Sequence, residues 1–434
     1  MFFHFAAQIW CGLFFANVAT CIAVPSSKMH LHWSSQHVPT EPKLSIVLPF
    51  LPFDRTDLPS YTAAGGAGHA HAPPDGPPAD RRFGTNTNWS PVPFDSTGPF
   101  GRRLATTKLD WCGQGKNASG VHTLLRGTTC TLSSVVYVGP GTFLSMSSGS
   151  GPGSVAVISG NGTTGLFHVD GNLIVTDLIL ERGYTDFGGA FFVGKNGSYS
   201  SGHVQAFRTV VRRCVALLAG GGAALRDGAT LTLGNSTFES NTAGEIGGGV
   251  FAMAASSVVV SLGARVDVIG NTAAYVHGGG FHLENQGPRL DVSGIGTRLV
   301  VQGNSAGQAG GGVIVGFASS LEISLGARVD VLDNTAELYG GGLYLAYQDT
   351  RLDVSGIGTR LVIQGNSAGQ HGGGMAILSN AILRSTSSIL FQSNTALNGN
   401  GGGLAYDDQG GLAGIEDGGS NCVTLALHIK YDGT

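Results

Sequence analysis

Charge is scarce in this sequence. Asp, Glu, Lys and Arg make up 12% of 434 residues, and 24 basic against 28 acidic groups leave a net charge of −4. With no basic excess to neutralise phosphates, an electrostatically driven nucleic-acid binder is excluded. A helix-friendly composition is missing too: each of the 71 Gly would cost a helix interior about 1 kcal/mol. Proline is rare outside one stretch, since 13 of the 16 lie within 25–110. Apolar residues still make up 42%, enough to fill a core, so charge-driven disorder is excluded for most of the chain. What remains is a β-rich, turn-dense architecture.

One apolar run stands out at the start. Residues 1–27 contain no charged side chain, and Phe2–Val24 is mostly apolar. Residues 1–23 read as a secretory signal peptide cut before Val24 or, given the missing basic flank, as an uncleaved signal anchor. Contact with a membrane is expected only through that segment, and the location is extracellular or cell-surface. Sequons at Asn88, Asn117, Asn161, Asn196 and Asn235 permit glycosylation. Cys112 and Cys130 close a short loop that would suit a disulfide in an oxidising compartment, while Cys422 has no evident partner. Residues 24–110, rich in Pro, Gly, Ala and His, read as a disordered linker. His69 and His71 within it are too few for a metal site, and neither metal nor cofactor is expected.

From about residue 205 the chain repeats itself. Gly triplets begin at 220, 247, 278, 310, 340, 372 and 401. Six or seven residues before them stand Cys214 and then Asn241, Asn271, Asn304, Asn334, Asn366 and Asn394. LDVSGIGTRLV occurs at 290–300 and 352–362, and SLGARVDV at 261–268 and 324–331, so a doubled unit of 62 residues is also present. Each unit divides into three short alternating strands, such as GGGFHLEN, PRLDVSG and TRLVVQGN. One unit cannot bury its own faces, so the units must stack. The prediction is an all-β, right-handed parallel β-helix of about nine coils. Residues 111–204 form its amino-terminal cap and first irregular coils, 205–410 the regular repeats, and 411–434 a last coil or cap. The Asn column sits at a turn, where stacked amides can hydrogen-bond from coil to coil and act as a structural ladder.

FESN at 238–241, FQSN at 391–394 and Gly188-Gly189-Ala190 carry a family resemblance. The region from about 205 to 410 resembles the FxxN and GGA[I/L/V] repeats of the chlamydial polymorphic outer-membrane proteins. Most copies depart from that pattern, with Val or Ile for Phe and GGG for GGA. The resemblance implies a pectin-lyase-like passenger fold and an adhesin role at a cell surface, and it carries no expectation of a membrane barrel.

Stacking turns single residues into columns. Arg265, Arg298, Arg328 and Arg360 stand six residues before their Asn, with Asp267 and Asp330 two positions on in alternate coils. They form a candidate track for an anionic polysaccharide, because guanidinium groups grip carboxylates and sulfates bidentately. The alternative is a salt-paired, solvated face. Asp291, Glu322 and Asp353 form an acidic column next to Arg289 and Arg351, a weak candidate for a glycosidase pair or a Ca²⁺ site. Phe251, His282, Ile314 and Tyr344 form an outward line that either stacks on sugar rings or lies under a covering segment. His282 with Glu284 is the best acid–base pair in the chain, and Asp407-Asp408 reads as a turn.

No coil breaks the tiling with a cluster of catalytic groups. The expected function is therefore a non-catalytic adhesion or binding scaffold for anionic polysaccharide or a cell-surface protein. A carbohydrate-active enzyme on an acidic glycan and a structural wall component are the alternatives.

Overall fold

Strands of two to six residues cannot form a closed core alone, and each here pairs with its counterpart one coil away. The computed structural model describes residues 119–194, 201–261 and 263–406, and the backbone of Thr424–Leu425. The chain is an all-β parallel solenoid of about nine turns. Three long parallel sheets run its length, with ten, ten and eleven strands. In each coil a first-face strand follows the Gly triplet, as in Phe281–Leu283; the second-face strand is then Arg289–Ser293 and the third-face strand Arg298–Gln302. A fourth, eight-stranded ladder that the strand pattern does not announce is made largely of Thr-Ala and Ser-Ala pairs just after each Asn, such as Ser305–Ala306. The signal segment 1–23, the linker 24–110, Cys112, Cys422 and the Asp407-Asp408 pair lie outside the described residues, as do the sequon residues Asn88, Asn117 and Asn196.

The core is built of columns in constant register. On the third face it runs Cys130, Ile158, Leu180, Val211, Phe238, Val268, Val301, Val331, Ile363 and Phe391. All are buried, Cys130 included, at the head of the column. Within 411–434, Thr424–Leu425 adds a further strand beside Leu390 and Phe391. Asn161 and Asn235 are exposed.

Two backbone devices turn each coil. The first Gly of every triplet holds a positive φ, from +58° at Gly340 to +72° at Gly401. That region costs little only for a residue without Cβ. The second Gly lies tight against the next coil: a Cβ on Gly248 would stand 2.5 Å from the Gly279 carbonyl oxygen and from the Thr272 carbonyl carbon. No helix among the described residues is long and apolar enough to cross a membrane.

Candidate functional site

The Asn column lies at the turn between the third face and the short ladder, fully inside the wall. Each Nδ2 donates to the Oδ1 of the next Asn at 2.9 Å, from Asn241 through Asn271, Asn304, Asn334 and Asn366 to Asn394. The same Oδ1 atoms accept the backbone N–H of the preceding Asn, and each Nδ2 also donates to a carbonyl oxygen of the preceding coil, such as Val268 for Asn304. Cys214 takes the first place: its N–H donates to Asn241 Oδ1, and its sulfur accepts from the Gly183 N–H. Burial pushes that thiol up to about 12, so it stays protonated and unreactive. These groups are spent on holding coils together.

The four arginines stand in one register on the third face, Arg265 beside Arg298, Arg298 beside Arg328 and Arg328 beside Arg360. Arg265 pairs with Asp267 at 3.0 Å, and Arg298 and Arg328 share the buried Asp330 at 2.7 Å each. Arg360 has no carboxylate within ion-pairing distance among the described residues. Four cations against two anions leave the column net positive. In the Asp column Val300 sits between Asp267 and Asp330, and Val362 between Asp330 and Leu390; both valines are buried although they point outward.

On the second face Asp291, Glu322 and Asp353 are likewise neighbours. Arg289 bridges Asp291 at 2.9 Å and Glu322 at 2.8 Å, and Arg351 stands 3.8 Å from Asp353. Burial holds the Asp353 carboxyl above its usual range, against the pull of Arg351 and Arg384. The acids are thus tied to arginines. No group of three or more His, Cys, Asp or Glu among the described residues is placed to hold a metal ion.

The outward line of the first face differs from an open sugar platform. Phe251 is 3%, His282 1% and Tyr344 9% exposed. The residue before each triplet folds over the strand that follows it: Ala219, Ile246, His277, Ala309, Tyr339 and His371 form their own bridged column. Positions five apart then face each other across the corner, as in Phe187–Phe192, His277–His282 and Tyr339–Tyr344, with ring centroids 6.1–6.3 Å apart. Rings also meet between coils: Phe251 with His282 at 5.7 Å, and Tyr344 with His277 at 6.3 Å. The result is a second apolar seam outside the main core.

Within this seam a small open recess, with room for little more than a water molecule, is lined by His277, His282, Glu284, Phe317, Tyr344 and Tyr347. His282 Nε2 lies 3.1 Å from Glu284 Oε2 but off the hydrogen-bond line, and His282 Nδ1 is 3.4 Å from the His277 carbonyl oxygen. Burial pushes the Glu284 carboxyl up, yet the neighbouring His282 imidazole outweighs it and holds the group below its ordinary value. Burial first, and repulsion from His282 second, pull His277 down to about 3 from 6.5. The sign follows: a histidine kept neutral by the fold contributes stability above pH 6.5 and loses it as pH falls toward 3. The loss is at most about 1.4 kcal/mol per pH unit. Thermal midpoints of the full chain are expected to fall between pH 7 and pH 5, and His277→Phe to flatten that slope; equal slopes would contradict the assignment. Sequence reading singled out His282 and Glu284 and passed over His277. The available signal was the apolar or aromatic residue that recurs just before each triplet.

These columns, tiled coil upon coil, are the setting for comparison with known proteins. The chain is similar to a chlamydial outer-membrane protein. Over 116 residues, 26% of the chain, it is 35% identical to the probable outer membrane protein pmp20 of Chlamydia pneumoniae. The match spans 6% of that protein's length. No family model matches the sequence, and no solved structure matches it. Together, the similarity and the solenoid describe a parallel β-helix repeat protein with polymorphic-outer-membrane-protein-like repeats.

Proposed function

We propose that this chain is a surface-displayed β-helix acting as a non-catalytic adhesion scaffold, with the arginine column of the third face as its track for anionic polysaccharide. The parallel solenoid and the likeness to an outer-membrane protein fit a surface adhesin-like role. The single observation that carries the polysaccharide reading is the in-register line of four arginines with only two carboxylates among them. A polymer with a regular negative charge meets such a line repeatedly, and weak single contacts add up through multivalency. Copying a coil lengthens the track without disturbing any chemistry, which suits near-identical repeats.

The test is retention of the full chain on immobilised uronate, sulfated and neutral polysaccharides, at low and physiological salt. Retention on the anionic polymers is expected to weaken as salt screens it. Arg360→Ala is expected to cost at least as much as Arg298→Ala, because Arg360 is not tied to a carboxylate while Arg298 shares Asp330. Absence of retention on every polymer at low salt would sink the polysaccharide reading.

A further inference from the structure

The turn between the second and third faces carries a second line of residues that neither core nor ladder uses. Ile295 is 89% exposed, Leu325 67%, and Ile357 fully exposed. They occupy the same turn in three successive coils, SGIGT at 293–297, SLGA at 324–327 and SGIGT at 355–359. Single exposed aliphatics are ordinary, but a row of them at one-coil spacing is a continuous apolar ridge. Nothing in the fold asks for these side chains. Glycines flank both isoleucines, and Leu325 holds φ +55°, where Gly or Asn would cost less. Leu262, the counterpart of Leu325 in the other SLGAR copy, lies outside the described residues.

Charge decides what such a ridge fits. The three turns contain no Asp, Glu, Lys or Arg, and the next residue after each is Arg298, Arg328 or Arg360. A column of aliphatic residues therefore runs beside the column of arginines along the solenoid. A hydrated polysaccharide gains nothing from branched aliphatic tips, since sugar rings stack on aromatics. A second copy of the chain packed symmetrically on this edge would set arginine column against arginine column, which is repulsive. An anionic bilayer takes both parts: its headgroups pair with the arginines and its acyl boundary receives the aliphatic side chains.

We propose that this edge docks on an anionic lipid surface, with Ile295, Leu325 and Ile357 entering the headgroup boundary and Arg298, Arg328 and Arg360 holding lipid phosphates. The proposal rests on the scaffold reading only in placing the chain at a cell surface. The experiment is co-sedimentation of the full chain with phosphatidylcholine vesicles with and without phosphatidylserine, using wild type, Ile295→Ser/Ile357→Ser and Arg298→Ala/Arg360→Ala. Both substituted residues of the first variant sit in solvent, so its fold is preserved. Wild type is expected to partition onto the phosphatidylserine vesicles. The Ile pair should lose at least about tenfold of that partitioning, since each aliphatic side chain removed from water is worth that much. The Arg pair should lose the salt-sensitive part. Retention of the Ile variant on anionic polysaccharide is expected to match wild type, which separates this ridge from the glycan track. Vesicle binding by the Ile variant equal to wild type overturns the proposal. So does vesicle-free self-association of wild type that the Ile pair abolishes, because the ridge would then be an interface between copies.

Discussion

Asn304→Ala is expected to lower the stability of the full chain by about 4 kcal/mol, read as a shift of the urea midpoint. Four hydrogen bonds vanish with that side chain: Nδ2 to the Val268 carbonyl and to Asn334 Oδ1, and two accepted from Asn271. The partners left behind are buried in the wall, where water cannot replace what was lost. The amide is also a relay, so its removal splits one ladder into two. Asn394→Ala should cost less, because Asn394 ends the ladder and takes part in three such bonds. Equal small effects at both positions would show that the ladder is a by-product of stacking rather than a support for it.

The second large effect is expected at the middle glycine of a triplet. Gly248→Ala puts a methyl group 2.5 Å from a carbonyl oxygen of the next coil, and backbone on both sides cannot step aside. The cost is expected to be about 3 kcal/mol or more, with loss of pairing between adjacent coils. Gly303→Ala is the control. Gly303 has a positive φ of +62° but nothing within 4 Å of the added carbon, so only the conformational cost of about 1 kcal/mol applies. Similar denaturation midpoints for the two variants would mean that close approach is not what the triplet supplies.

Much of this is legible in the amino-acid sequence, for a physical reason. In a solenoid, residues one repeat apart are neighbours in space, so spacing along the chain translates directly into columns. Counting six residues back from each Asn therefore finds Arg265, Arg298, Arg328 and Arg360 side by side, and the shared 62-residue unit aligns Asp291 with Asp353. What the alternation could not show is cover. Period two says that Phe251, His282 and Tyr344 point away from the core. It does not say that Ile246, His277 and Tyr339 fold back over them at the glycine corner. That contact depends on the positive φ of the first Gly in the triplet, and so does the recess around His282 and Glu284. The ion pairs were half legible: Asp330 two positions after Arg328 is a matter of spacing, but its sharing by Arg298 of the preceding coil is a matter of side-chain reach.

The central claim is that binding is spread along the rod rather than concentrated at one coil. Deleting residues 290–351 tests it most directly, because Arg289 then joins Leu352 as Arg351 does now and two whole coils leave without a change of register. The shortened chain is expected to keep a β-sheet circular dichroism spectrum and a cooperative unfolding transition. It retains Arg265 and Arg360, so its retention on anionic polysaccharide should persist but weaken by roughly tenfold or more, as multivalent contacts are lost. Retention that is abolished outright would place the site within the deleted coils, and retention that is unchanged would place it off the track; either result contradicts the account.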